Sequence, residues 1–307
     1  MLNNVSFSLT NKCNSHCAMC NIWKVKSFED EMSVSEIKDL FGHDCFSQVN
    51  TISITGGEPF LRNDIMEVIY TLKQSMPKLN RLFLNTNATN IKRIVDVCKI
   101  SAKLIDTVIL SISLDGKKET HNHLRGINNY DNVIALLNIM QQIPEVKLSL
   151  SMTLLKENAN LQNLEHVQNI ARQKNAMFSF RFADKSSTYY RNKNMDLFVS
   201  TSQKQQVAKF ISDNCTDNAF LVCLKQFIDT GTLDLLVQDG KIKCMAGNKF
   251  VFVHPNGRIS PCLYSLQNIN PDYLLSGKPV SVGKKEPCPC CTDCAIYPML
   301  EELQKTK

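Results

Sequence analysis

The feature that most constrains this chain is a two-residue alternation that occurs six times, with helical spacing between the repeats. It runs over 5–10 (VSFSLT), 51–55 (TISIT), 82–87, 108–115, 147–153 and 177–182. Alternating apolar and polar residues are the period of a strand with two unlike faces. In the gaps, apolar residues fall at helical intervals: Val34, Ile37, Leu40 and Phe41, then Ile65, Val68, Ile69 and Leu72, then Ile91, Ile94, Val95 and Cys98. Strand, helix and strand in repetition predict parallel β/α units.

Parallel strands covered on both faces are normally apolar throughout. Here one face of each strand carries small polar residues, as in Ser6, Ser8 and Thr10, Thr51, Ser53 and Thr55, Ser111 and Ser113, and Ser149, Ser151 and Thr153. The expected fold is therefore α/β: a partial (β/α)6 barrel, open and TIM-like, whose helices lie outside and whose lumen is polar and not packed dry. After about residue 200 the alternation stops. Two helices, over 202–214 and 217–230, lead into a small cysteine-rich C-terminal domain. The expected organisation is a barrel over 1–200, a helical link over 201–240 and the cysteine-rich unit over 241–307, with its boundary near 235–243.

With 43% hydrophobic and 21% charged residues among 307, the chain has the make-up of an ordinary globular protein. No apolar run reaches the roughly 18 residues of a membrane span, and the N-terminal MLNNVSFSLTNKC lacks the basic and apolar regions of a secretory signal. Cytoplasmic residence is the expectation, with no membrane partner. The formal net charge of +6 is scattered, without a run of like charges, so no nucleic-acid partner is expected. The 13 cysteines are many for such a chain. Their uneven spacing reads as metal ligation, not disulfides.

The first strand runs into Cys13, Cys17 and Cys20, three thiols within eight residues. A closed zinc site wants four ligands, whereas three thiolates on a four-iron cluster leave one iron open. Zinc completed by His16 or a distant residue is the plainer alternative. The second strand ends in Gly56, Gly57, Glu58 and Pro59. That is the strand end where β/α barrels place active sites. Two glycines let a ligand approach the backbone, proline fixes the turn and Glu58 can accept from an ammonium group.

CNSHCAMC after strand one and TGGEP after strand two resemble the radical S-adenosylmethionine (radical SAM) enzymes, over roughly the first 185 residues and the tail. The resemblance implies that Cys13, Cys17 and Cys20 hold a 4Fe-4S cluster whose fourth iron is chelated by S-adenosylmethionine, and that Gly56, Gly57, Glu58 and Pro59 line that cofactor's amino group. It implies reductive cleavage of the cofactor to methionine and a 5'-deoxyadenosyl radical, which takes a hydrogen atom from the substrate. Further matches follow in order. Asn85-Thr86-Asn87 stands where relatives show Thr-Asn-Gly, with Ala88 replacing the glycine, and makes Asn87 a cofactor candidate. Ser113 in SISLDG and Arg125 in HNHLRG match cofactor-contacting pairs; the alternatives are a lumen filler and a surface salt bridge. Met19 occupies the position of an aromatic residue near the adenine. Lys156 and Arg181, at the ends of strands five and six, could reach the lumen as catalytic groups.

The tail holds Cys244 and Cys262 around a Pro255-Asn256-Gly257 hairpin signal, then Cys288, Cys290, Cys291 and Cys294. C-x12-G-x4-C resembles the start of the SPASM and twitch extensions of the same family. This implies one auxiliary iron-sulfur cluster, of the 4Fe-4S type, held by Cys244, Cys262, Cys291 and Cys294; a zinc ribbon on the same residues is the alternative. Cys45, Cys98, Cys215 and Cys223 read as buried single residues. The resemblance makes the protein an oxidoreductase or epimerase, and the reading adopted for its substrate is an aminocyclitol or amino sugar. A maturase of ribosomally made peptides is the second reading, and a non-catalytic metal-binding module the third. An electron donor such as flavodoxin or ferredoxin is the implied protein partner.

Overall fold

The computed structural model describes residues 1–215, 219–230, 245–278 and 280. The expected boundary at 235–243 and Cys244, Cys288, Cys290, Cys291 and Cys294 lie outside the described residues, as does the side chain of Cys223.

The chain runs β1 (Asn4–Thr10), α1 (Val34–Phe41), β2 (Thr51–Gly56), α2 (Ile65–Ser75), β3 (Arg81–Thr86), α3 (Ile91–Leu104) and β4 (Thr107–Ser113). It continues through α4 (Lys118–Arg125), α5 (Tyr130–Met140), β5 (Val146–Leu154), α6 (Leu161–Gln173) and β6 (Met177–Phe182). Helices α7 (Thr201–Asn214) and α8 (Ala219–Thr230) follow, then the hairpin strands β7 (Phe250–Val253) and β8 (Ile259–Ser260), and a short α9 (Pro271–Leu275). All six strands read from the alternation are present, shifted by at most two residues at their ends.

Local signals set the starts of the helices. Ser33 caps α1 by accepting from Glu36 N, while the Glu36 carboxylate accepts from Ser33 N at 2.8 Å, the reciprocal arrangement of an S-x-x-E box. Ser200 and Gln203 repeat it at α7. The apolar phase of the strands, including Phe7, Leu9, Ile52, Ile54, Leu84, Leu110, Ile112 and Leu150, is 0% exposed beneath these helices. Each such side chain contributes roughly 1.5–3 kcal/mol relative to exposure.

The strands form one sheet in the order β6-β5-β4-β3-β2-β1-β7-β8, parallel throughout except for the β7/β8 hairpin. Among the described residues β6 and β8 do not pair, so the barrel is open. No helix among them is long and apolar enough to cross a membrane.

Two features go beyond the sequence reading. The tail hairpin joins the sheet: β7 lies parallel beside β1, with Asn4 opposite Phe250 and Ser6 opposite Phe252. The lumen is also not uniformly open. Along β2 to β6 its small polar residues are half-exposed, but on β1 Ser6, Ser8 and Thr10 are buried. Phe250 and Phe252 share the lumen phase with Asn4 and Ser6, and Tyr189 packs on Phe252 at 5.2 Å between ring centroids. The β7 phenylalanines and the segment after β6 therefore cover that side.

Candidate active site

The cysteine loop leaves β1 and is pinned by two neighbours. Gly57 N donates to Thr10 O at 2.7 Å and Glu58 N to Lys12 O at 2.8 Å. From the other side, His16 N donates to Arg125 O at 3.0 Å and Ala18 N to Leu124 O at 2.8 Å, so the C-terminus of α4 lies along the loop. The first of these contacts explains the glycines. A Cβ on Gly56, whose φ is +127°, would sit 2.3 Å from Thr10 O, and one on Gly57 would sit 2.1 Å from Lys12 O. The backbone that approaches them is that of the cysteine loop.

Cys13, Cys17 and Cys20 lie close enough to couple electrostatically. Burial pushes the Cys13 thiol up to about 11 and Cys20 to about 12, and raises Cys17 against the lowering effect of Arg125, whose Nη1 donates to Cys17 Sγ at 3.9 Å. Among the described residues no three His, Cys, Asp or Glu side chains converge on a single-ion site.

Glu58 is 1% exposed and turned toward β3. Its carboxylate accepts from Asn87 N at 2.7 Å, Thr86 Oγ1 at 3.0 Å and Phe60 N at 3.3 Å, yet burial outweighs these bonds and raises its pKa to about 7. Asn87 bridges back to the cysteine loop, its Nδ2 donating to Asn14 Oδ1 at 2.8 Å and Ser15 Oγ at 2.7 Å. Ala88 keeps the left-handed conformation that a glycine would take, at φ 64°, so the backbone path survives the substitution. Pro59 is buried as the first residue of a short 3-10 turn.

Arg125 is not a surface residue. Its side chain is 12% exposed, and its Nε lies 2.6 Å from Oδ2 of the fully buried Asp115, a close ion contact without hydrogen-bond alignment. Burial opposes the guanidinium charge, but Asp115 and Cys17 more than offset it and raise its pKa. Asp115 Oδ1 also accepts from Thr153 N at 2.8 Å. Buried beside it, His121 accepts at Nδ1 from Asp115 N, and its Nε2 faces Asn129 Oδ1 at 3.1 Å. Burial holds its pKa down at about 4, so it is neutral at pH 7. Asn129 in turn donates to Asn87 O at 2.5 Å. This polar belt ties the ends of β3, β4 and β5 to the cysteine loop. Sequence reasoning missed Asp115, although it stands inside the SISLDG segment that singled out Ser113. Ser113 itself is half-buried, opposite Ser151 on β5.

A strap over 186–192 crosses the lumen mouth. Tyr189 Oη accepts from Gly56 N at 3.2 Å, lies 3.1 Å from Gly56 O as donor, and shares a hydrogen bond with Thr55 Oγ1 at 2.9 Å. Asn192 Nδ2 donates to Met19 O at 2.7 Å, and Thr188 Oγ1 donates to Leu263 O beside Cys262. Met19 is buried among Leu124 and Leu155. Arg181 contacts Tyr190 through its guanidinium, which lies 5.5 Å from the ring centroid. Asp184 accepts from Tyr264 Oη at 2.7 Å, and burial raises its pKa. Lys156 is exposed past the end of β5, its carbonyl accepting from Gln203 Nε2. Cys262 is buried with Phe250, Phe252 and Tyr189, and Cys20 packs on the same cluster. Cys45, Cys98 and Cys215 are buried, as expected. The strap residues carry no periodic or motif signal, so only the fold reveals them.

A family model described as the radical SAM superfamily matches residues 7–167. The Fe-coproporphyrin III synthase of Methanosarcina barkeri is 31% identical over 157 residues, spanning 50% of this chain and 37% of that protein. The GTP 3',8-cyclase of Haemophilus influenzae is 24% identical over 283 residues, 87% of this chain and 80% of its own. Among solved structures, Streptococcus suis SuiB bound to precursor peptide SuiA has a similar fold, with a TM-score of 0.68 at 16% identity. That likeness covers 90% of this chain and 64% of SuiB. The chain thus spans little more than a third of the synthase and under two thirds of SuiB.

Proposed function

The chain belongs to the radical SAM superfamily and is a radical SAM enzyme, and from that premise we propose that Cys13, Cys17 and Cys20 hold its 4Fe-4S cluster beside an S-adenosylmethionine site. That site is built from Gly56 to Pro59 with Met19, Asn87, Ser113 and Arg125. The residues suit the group. One loop offers three thiols whose raised pKa values reflect burial that the nearby Arg125 only partly offsets. A bound metal reverses that balance and takes them as thiolates. When bound, the cluster and its cofactor supply a 5'-deoxyadenosyl radical for hydrogen abstraction.

The chain's own residues position and insulate. Asp115 holds Arg125 against Cys17, Glu58 and Asn87 fix the loop to β3, and Tyr189 fixes the Gly56 turn. The covered β1 side keeps water off the cysteine loop, while the half-exposed side along β4 to β6 receives the substrate. There Arg181 orients the substrate, since a guanidinium does not release its proton. Asp184, a carboxylate with raised pKa, is the proton acceptor, and exposed Lys156 lies at the rim. Cys262, with Cys244, Cys291 and Cys294, is assigned one auxiliary iron-sulfur cluster. The division kept is a barrel over 1–200, a link over 201–240 and a cysteine-rich unit over 241–307, whose described strand β7 pairs with β1.

For the substrate we favour a peptide segment. The observation that carries this is the likeness to SuiB, seen with its precursor peptide, across 90% of the chain. The aminocyclitol or amino sugar reading comes second, since no relative named above carries such a compound in its name. The test is anaerobic reconstitution with iron analysis and product mass spectrometry. About eight irons per chain, falling to about four in the Cys13/Cys17/Cys20→Ala variant with loss of 5'-deoxyadenosine, is the expected result. Zinc in place of iron would overturn the assignment. Modification of peptides but not of cyclitols in deuterated water supports the peptide reading; the reverse selects the small molecule.

A further inference from the structure

A pocket of about 410 Å³ lies where the strap meets the chain just beyond the cysteine loop. It is lined by Asn21, Ser187, Thr188, Arg191, Lys193 and Asn194, so every lining side chain is polar, two are cationic and none is a carboxylate. Asn21 directly follows Cys20, which sets the pocket beside the proposed cluster site. Arg191 and Lys193 are exposed and make no ion pair among the described residues, where the side chains of Ser187 and Asn194 are also without a hydrogen bond. These donors are free to meet a ligand.

The fold holds Arg191 here in an uncommon conformation. Its φ is 54°, in the left-handed region that long side chains rarely adopt. Asn21 fixes the carbonyls on either side of it, Asn21 N donating to Tyr190 O at 2.8 Å and Asn21 Nδ2 to Arg191 O at 2.9 Å. The charges that reach His254 nearby are both positive: burial first, then Arg258 and Arg191, hold its pKa down at about 4. Arg258 has only that neutral imidazole, at 2.8 Å, and the Leu266 carbonyl as partners. This edge of the lumen mouth is therefore positive without a neutralising anion among the described residues.

We propose that the pocket bounded by Asn21, Arg191 and Lys193 is a carboxylate-binding subsite, which selects a peptide substrate carrying an acidic residue beside the one that reacts. The inference rests on the peptide reading given above. A guanidinium fork, an ammonium, a free hydroxyl and a free amide supply the charge-assisted and neutral donors that a carboxylate takes up. Phosphate suits it less, because no helix N-terminus lines the pocket. Its place in the fold assigns it to a flanking residue. Tyr190 touches Arg181, which is proposed to orient the substrate, and the next residue along the strap is Arg191. An extended peptide advances about 3.3 Å per residue, so the position after the reacting one moves off Arg181 toward the strap.

The test titrates the oxidised, reconstituted enzyme, loaded with S-adenosylmethionine so that no turnover runs, with two capped alanine-glycine hexapeptides that differ only in a central Glu-Glu or Gln-Gln pair. Sodium glutarate and inorganic phosphate serve as free anions. The Glu-Glu peptide is expected to bind about tenfold more tightly than its Gln-Gln twin at low salt, and the Arg191→Gln/Lys193→Gln variant to lose that preference. Lys193→Gln alone, at an exposed side chain without a partner, should reduce it about threefold, which separates loss of the subsite from loss of the fold. Lys99→Gln/Lys103→Gln, which removes the same charge from exposed positions on α3, should leave it intact. Equal binding of the two peptides by the wild type, a preference that survives the double variant, equal loss in the α3 control, or tighter binding of phosphate than of glutarate overturns the proposal. If glutarate binds as tightly as the Glu-Glu peptide and both are lost in the double variant, the carboxylate subsite stands and the peptide reading fails.

Discussion

The two sides of the lumen are built from the same strand pattern and end in opposite states. On β1 the polar phase is sealed under Phe250, Phe252 and Tyr189, and on β4 to β6 the same kinds of residue stay half-exposed. The difference comes from what the rest of the chain lays over each side, not from the strands. One side anchors the cysteine loop, and the other remains accessible, where the proposed substrate would come and go.

The largest test of this contrast is Tyr189→Ala. It removes an aromatic ring from the Phe252 contact and three hydrogen-bond contacts from the Gly56 turn, and should destabilise the protein by about 3–5 kcal/mol in chemical denaturation. If the loss is below about 1 kcal/mol, the strap does not seal the β1 side. Gly56→Ala comes next. Strain at φ +127° and the clash with Thr10 O together should cost about 2–4 kcal/mol, and circular dichroism melts would show it.

Glu58 gives a pH signature on the sealed side. Its pKa is raised on folding from 4.5 to about 7, so the folded state binds the proton more tightly than the unfolded one. Its contribution is fully present below about 4.5 and is lost as pH rises through about 7, amounting to about 2–3 kcal/mol over that window. The stability difference between the wild type and Glu58→Gln should therefore shrink as pH climbs from 4.5 to 7; a flat difference means that Glu58 is charged in the folded protein throughout. Burial of His121 acts in the opposite direction over an overlapping range, which is why the difference and not the raw curve is informative. The smallest effect sharpens the comparison most finely. Ser8→Ala deletes a buried hydroxyl without a partner and should be neutral or stabilising by up to about 1 kcal/mol, whereas Ser149→Ala on the half-exposed side should stay within about 0.5 kcal/mol either way.

The barrel was legible because alternation and helical spacing are local, so β1 to β6 needed only short windows of sequence. The cysteine loop and the glycine turn stood out in the sequence because their spacing is one that ligands use. What could not be read is long-range. The glycines were expected to admit a ligand, and their close partner is backbone at Thr10 and Lys12. Arg125 stood as either a cofactor contact or a surface group until Asp115 was seen beneath it. Tyr189 has no pattern around it, and its importance arises only from meeting Gly56 across more than a hundred residues. The placement of β7 against β1 had no signal either, since a hairpin motif announces its own turn but not its neighbour.

That last pairing has a consequence for synthesis. Residue 4 leaves the ribosome long before its partner, residue 250. At roughly 5–20 residues per second the intervening chain takes tens of seconds to emerge. Through that interval the strand leading into the cysteine loop has a bare outer edge, open to pairing with the wrong partner. The nascent barrel therefore has to wait for its tail, and a truncation before β7 would leave the most chemically exposed strand of the protein permanently unfinished.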